Sequence, residues 1–365
     1  MHAKTIRSLT AALAVTVVAA GLVGCSDDDG GDASDAGTTT TGGAPGEVAA
    51  APSAGCTSPE DVATEAGPEG QERVTTTSGG QDRWYLRHVP EAHDGSTPVP
   101  LVVDFHGYSE GAEVHVQMSA LSAYGDEQGF VTVTPHGEGE VPRWDTTLDG
   151  GDMDFVGDLL DEVEASLCVD TNRIYVTGLS NGAFLTSAIA CRYADRVAAV
   201  APVAGVRDVE NCEPARPVPL LAIHGTEDEF VTFDGTPGDA VANLPAPDGS
   251  GRTIGELRAE GEDTGRPAPP PDAPTIPEIV AAWAERNGCE GPPAEEPLAD
   301  DVALERYDCP TGADTGLIRI DGGGHSWPGS ELSAAVEEIV GHTTMSISAN
   351  EVMWEFFLDH PLTAE

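Results

Sequence analysis

The sequence predicts an α/β fold, a mostly parallel central sheet with helices on both faces. Three observations carry this. From residue 83 onward, short β-rich runs alternate with helix-like stretches. Several of the β-rich runs are apolar throughout, as strands buried on both faces must be. Helix stop and start signals punctuate the stretches between them, with Pro277 at a first turn and Gly288 at an end.

In order, the strand-like runs are RWYLRHV (83–89), PLVVDFH (100–106), FVTVTP (130–135), RIYVTG (173–178), RVAAVAPV (196–203), VPLLAIHG (218–225) and GLIRID (316–321). The helix-like stretches are 112–128, 154–167, 182–194, 276–288 and 349–360. Asp152 and Asp154 fall at the start of the second, where carboxylates suit the free N–H groups of a first turn. Residues 232–275 break the rhythm with proline, glycine and aspartate. They read either as a disordered surface insertion or as a loop overhanging the active edge, since they leave from a strand end.

The N-terminus reads as an export signal. Lys4 and Arg7 precede an uncharged, mostly apolar run from Ser8 to Gly24 that is short for a spanning helix. It ends in LVGC, which resembles a bacterial lipoprotein lipobox with Cys25 as the acylated residue. Two acyl chains at about 0.8 kcal/mol per buried CH₂ would hold such a protein on a membrane. Residues 1–24 are thus expected to be a signal peptide. Residues 25–55, nearly devoid of large apolar side chains, read as a tether with a span of roughly 30 Å. Residues 56–365 form the expected domain.

Lys and Arg number 17 against 63 Asp and Glu, a net charge of −46. Such a surface repels nucleic acid and anionic membranes, so the only membrane contact expected is through the lipid. The single lysine is Lys4, which excludes Schiff-base chemistry for the mature chain. Six cysteines follow Cys25. An even number in an exported chain implies three disulfides, with 15 pairings possible. Sequence proximity suggests Cys191–Cys212 and Cys289–Cys309 first, which leaves Cys56–Cys168. The spacings do not suggest a metal, and no organic cofactor is implied.

Gly-x-Ser-x-Gly occurs twice, around Ser109 and Ser180. In a chain this rich in glycine, about 0.3 such matches arise by chance, so context must choose. A nucleophile elbow needs a strand, a tight turn and a helix, with neutral small neighbours around the developing oxyanion. Ser109 is followed by Glu110, whose charge opposes that oxyanion. Ser180 is followed by Asn181, Gly182 and Ala183. After Ser180 come Asp228 and His325, each just past a strand, in the α/β-hydrolase order Ser, Asp, His. Glu227 and Glu229 rival Asp228, while His224, His342 and His360 rival His325. His106 and Ser109 then become structural or rim residues. Gly107 or Tyr108 could supply a second oxyanion N–H beside Asn181. Trp144 and Trp327 are candidate walls for an acyl or sugar group, or core residues.

The stretches HGY, CVDTNRIYVTGLSNGA, VAAVAPVAG, PLLAIHGTED, WAERNGC and GGGHSWPG recur in the order found in the polyhydroxybutyrate depolymerase-type esterases. Over about residues 70–360 the chain resembles that family, which includes secreted feruloyl and acetylxylan esterases and actinobacterial lipoprotein esterases. The resemblance implies an α/β-hydrolase fold and puts Ser180, Asp228 and His325 on the family's triad. It implies a secreted or lipid-anchored esterase acting on hydroxyalkanoate oligomers, or on feruloyl or acetyl esters of polymeric or plant-wall origin. No polymer-binding module is recognisable, which favours short or soluble esters. The alternatives are an acyltransferase using the same triad and a non-catalytic surface lipoprotein.

Overall fold

The computed structural model describes residues 48–236, 238–262, 264 and 273–363. The expected signal peptide, Cys25 and the tether up to residue 47 lie outside the described residues. Among the described residues, eleven strands form one sheet. In chain order they are β1 (Thr64–Ala66), β2 (Glu72–Ser78), β3 (Gln81–His88), β4 (Val99–Phe105), β5 (Val131–Pro135), β6 (Val169–Leu179), β7 (Ala199–Val203), β8 (Leu220–Gly225), β9 (Glu290–Ala299), β10 (Val302–Asp308) and β11 (Thr315–Ile320). The helices are α1 (Ala112–Ser119), α2 (Leu121–Gln128), α3 (Gly151–Ser166), α4 (Asn181–Arg192), α5 (Ile254–Glu260), α6 (Ile276–Arg286), α7 (Glu331–Ala335), α8 (Glu337–Val340) and α9 (Ala349–Leu358).

The spatial order is β1-β2-β3-β5-β4-β6-β7-β8-β11-β10-β9. The run from β5 to β11 is parallel throughout. Antiparallel strands flank it at both edges. Every strand expected from the sequence is present, and each lies in the parallel run except β3, which pairs antiparallel to β5.

Alternation along the central strands feeds two cores. Leu101, Val103, Ile174, Val176, Leu220 and Ala222 face one side. They pack there with Phe155 and Leu159 of α3, Leu185 and Ile189 of α4, and Trp283 of α6. Val102, Tyr175, Leu221 and Ile223 face the other side, with Met353, Trp354 and Phe357 of α9. Apolar side chains on both faces explain why these strands read as continuous apolar runs.

Helix α6 shows how local signals and packing agree. Ile276, Ile279, Val280, Trp283 and Ala284 are buried, the i, i+3, i+4, i+7, i+8 stripe of an amphipathic helix. Thr275 and Glu278 close a capping box, the hydroxyl accepting Glu278 N–H at 3.2 Å and the carboxylate accepting Thr275 N–H at 2.9 Å.

Several expectations need correction. The long helix-like stretch 112–128 is two helices, broken where Ala120 takes φ 51°. Asp152 lies in the first turn of α3, yet its carboxylate accepts from Arg83 and from Asp145 N–H, both at 2.7 Å, rather than capping the helix. Residues 48–55, assigned to the tether, lie against the domain. Ser53 N–H donates to Val169 O at 2.9 Å, and Arg173 and Asn172 donate to the carbonyls of Val48 and Ala49. Small side chains let this segment approach the start of β6 closely. A Cβ on Gly55 would stand 2.2 Å from Leu167 O.

Three disulfides join Cys56–Cys168, Cys191–Cys212 and Cys289–Cys309. Sequence proximity suggested the last two pairs, and the first is the one they leave.

Candidate active site

Ser180 stands between β6 and α4, at φ 56° and ψ −113°. A non-glycine residue pays for that backbone conformation, so its surroundings must enforce it. Ser180 N–H donates to Val203 O at 2.9 Å. The two glycines of the motif are required by close approach. A Cβ on Gly178 would lie 2.6 Å from Phe105 O, and one on Gly182 would lie 2.1 Å from the same oxygen. The serine is thus lifted at the end of β6 while α4 packs tightly against β4. Asn181 begins α4, so its N–H is among the first four that the helix leaves without an internal acceptor.

Asp228 lies three residues past β8 and is buried. Its Oδ1 accepts the N–H groups of Phe230 and Val231 at 2.8 and 2.9 Å. Its Oδ2 lies 2.7 Å from His325 Nδ1 and 3.3 Å from His224 Nε2. Burial pushes this carboxyl up, but the charge of His325 and the hydrogen bonds from His224 and His325 outweigh it. They hold Asp228 well below the usual carboxylate range. His325 follows β11 in a glycine-rich loop that presses on the 340–341 backbone. A Cβ on Gly324 would meet Val340 O at 2.3 Å. In the sequence, His224 was one of the rivals for the role of His325. It instead buttresses the acid, its Nε2 also lying 2.8 Å from Val231 O.

The loop after β4 departs from expectation. Gly107 N–H, one candidate oxyanion donor, donates to Glu110 Oε2 at 2.7 Å. That carboxylate oxygen also lies 3.1 Å from His115 Nδ1, and His115 Nε2 lies 2.7 Å from Asp104 Oδ1. His115 and Asp104 are fully buried. Burial alone would lower the imidazole's pKa, but the two flanking carboxylates push it up to about 10. An imidazolium therefore neutralises part of the negative charge that made Glu110 look hostile to an oxyanion. Sequence reasoning missed this trio; the signal was His115, an unclaimed histidine five residues after Glu110.

His106 is structural. Its Nδ1 lies 2.7 Å from Gly107 O and its Nε2 accepts Gly137 N–H at 2.8 Å. Burial pushes its pKa down to about 3, so the ring is neutral. Ser109, at φ 65°, donates its N–H to Pro142 O, and α1 starts only at Ala112. No strand–serine–helix elbow forms there.

Ser180 and His325 line one cavity of about 180 Å³ with Gly107, Tyr108, Glu110 and Phe230. The Phe230 ring lies 4.9 Å from the His325 ring. Trp144 and Trp327 are not among its walls, contrary to their reading as substrate contacts. Trp144 Nε1 donates to His106 O at 2.9 Å, and its backbone exchanges hydrogen bonds with the Asn181 side chain. It braces the two loops that flank Ser180. Trp327 is buried in the core, its Nε1 bonded to Asn350. A large apolar ring with a buried N–H needs a partner, and both indoles find one in the interior. Among the described residues, no group of three or more His, Cys, Asp or Glu is placed to hold a metal ion.

Residues 85–215 match the family described as Esterase PHB depolymerase, a span that holds the loop after β4 and the Ser180 elbow. The chain is 27% identical to Feruloyl esterase B of Piromyces equi over 65% of its own length, and spans 41% of that protein. It is 28% identical to Putative esterase NocK of Nocardia uniformis subsp. tsuyamanensis over 85% of its length, and spans 92% of that protein. It is 34% identical to Poly(3-hydroxyalkanoate) depolymerase C of Paucimonas lemoignei over 33% of its length and 30% of that protein. Over residues 85–215, the chain is therefore similar to the esterase PHB depolymerase family.

Proposed function

We propose that this protein is a serine esterase that works outside the cytoplasm, held to the membrane through an acylated Cys25. The observation that carries the catalytic reading is the buried Asp228–His325 pair at 2.7 Å, with His325 lining the cavity of the elbow serine, Ser180. Ser180 Oγ attacks the ester carbonyl carbon. With Nδ1 held by Asp228, His325 takes the serine proton at Nε2 and passes it to the departing alcohol. Asp228 keeps the ring in that orientation and stabilises the imidazolium. Asn181 N–H stabilises the oxyanion. The loop after β4, through the N–H of Gly107 or Tyr108, is the candidate for the second donor. Water, deprotonated by His325, then releases the acid. No metal or organic cofactor enters this chemistry. The substrates are carboxylic esters: hydroxyalkanoate oligomers, or feruloyl or acetyl esters of plant-wall fragments. The names of the relatives support those acyl classes. Three disulfides support an oxidising compartment.

A fluorophosphonate probe followed by peptide mass spectrometry tests the reading. The expected result is an adduct on Ser180 that His325→Ala suppresses. An adduct on Ser109 would reverse the assignment of the two motifs. No adduct on folded, oxidised protein would leave a binding lipoprotein as the better description.

A further inference from the structure

The segment that breaks the sheet's rhythm supplies part of the Ser180 cavity. Val241 and Leu244 both line it. They belong to residues 238–262, which fold on themselves. Ile254 N–H donates to Leu244 O and Ala246 N–H to Arg252 O, both at 2.8 Å. A capping box at Thr253 starts α5, and Ala246, Ile254 and Leu257 are buried.

Among the described residues, hydrogen bonds dock this unit on the active edge. Tyr108 Oη donates to Pro245 O at 2.9 Å, Arg143 Nη1 to Pro247 O at 3.4 Å, and Ala240 N–H to Glu229 O at 3.3 Å. Tyr108 and Glu229 adjoin residues of the proposed site, and Arg143 precedes Trp144, whose backbone holds the Asn181 side chain. Val241 and Leu244 are therefore held in place rather than carried on a free loop. Met118, Leu179, Phe230 and Val340 add further apolar lining. Ile339, also in the lining, is 68% exposed.

An acyl-enzyme keeps its acyl group on Ser180 while the alcohol departs, so the cavity around Ser180 must house the acyl group. A volume of about 180 Å³ is close to the roughly 150 Å³ apolar cavity that accepts one benzene. Resting on the esterase reading, we propose that Val241 and Leu244 are the specificity-determining residues. They limit the acyl group to a compact, uncharged moiety no larger than a substituted ring or a chain of similar volume. Long acyl chains meet the docked segment and are rejected.

The test is kcat/KM on p-nitrophenyl acetate, butyrate, hexanoate and decanoate, using the full chain. The wild-type chain should favour the middle of the series and lose roughly tenfold or more at decanoate. Leu244→Ala should recover roughly tenfold on decanoate relative to butyrate, and Leu244→Trp should move the optimum to acetate. The Trp variant keeps the proposal open to refutation if the Ala variant folds poorly. Fluorophosphonate labelling of the same samples separates the two ways of failing. Ser180 labelled in every sample, with one unchanged acyl profile, overturns the role of Val241 and Leu244 alone. No label on Ser180 in the wild-type chain overturns the esterase reading and this inference with it.

Discussion

His115 is buried with a carboxylate at each ring nitrogen, and that arrangement has a pH signature. Its folded pKa is raised from 6.5 to about 10. The stability it contributes is fully present below pH 6.5 and is lost as the pH climbs through about 10. Urea denaturation at about pH 6, 8 and 10 should show a decline that His115→Gln flattens. The same substitution should cost about 3–5 kcal/mol at neutral pH, because Asp104 and Glu110 would then be buried without their cation. An alkaline decline that persists unchanged in His115→Gln would assign it to other groups. At the acid of the pair, Asp228→Asn keeps the shape but cannot hold the imidazolium. Ester hydrolysis by this variant should fall roughly 10³–10⁴-fold in kcat, and a loss below tenfold would remove Asp228 from the proposed triad. Glu110 shows what single residues hide. In the sequence its charge argued against Ser109 as the nucleophile, and only the fold brings His115 and Asp104 beside it.

The β6–Ser180–α4 unit depends on backbones in near contact. Gly182→Ala would put a carbon 2.1 Å from Phe105 O, and a strand carbonyl cannot step aside as a flexible side chain can. The cost should be on the order of 1–3 kcal/mol or more. Probe labelling of Ser180 should fall with the melting temperature, because α4 must back away from β4. Normal labelling and normal melting would show that the contact can relax freely. Elements were legible where burial imposes a pattern. The central strands announced themselves because both of their faces are apolar. Strand β9, EGPPAEEPLA, is exposed along nearly all its length and carries three prolines. Nothing in it reads as a strand, and it becomes one by pairing with β10 at the sheet edge, where proline is tolerated. Helix α5 was hidden inside a proline- and glycine-rich stretch, although Thr253 and Glu256 carried a capping-box signature.

The whole molecule combines a large acidic excess with covalent staples. A net charge of −46 repels itself, and salt screens such repulsion. The melting temperature should rise between about 10 mM and 0.5 M NaCl; a fall would mean that its ion pairs matter more than the net charge. The Cys56–Cys168 disulfide closes a separation of 112 residues and ties the entering chain to the start of β6. Chain-entropy arguments give about 4–5 kcal/mol for such a loop. Replacing both cysteines by serine should cost more stability than replacing Cys289 and Cys309, whose separation is 20. Equal losses would argue that native contacts, rather than the unfolded chain, govern the effect.

By itself, the sequence determined the parallel core, the preferred serine and the order of its partners, because these rest on local patterns: alternation, glycine spacing and position after a strand. Tertiary structure alone decided what each partner touches. Asp228 and His325 are 97 residues apart and meet only because β8 and β11 are neighbours in the sheet. The same assembly buried both tryptophans proposed as walls and filled the wall with Val241 and Leu244 instead. A side chain's chemistry is written in the sequence, but whether it faces a core or a cavity depends on elements far away along the chain.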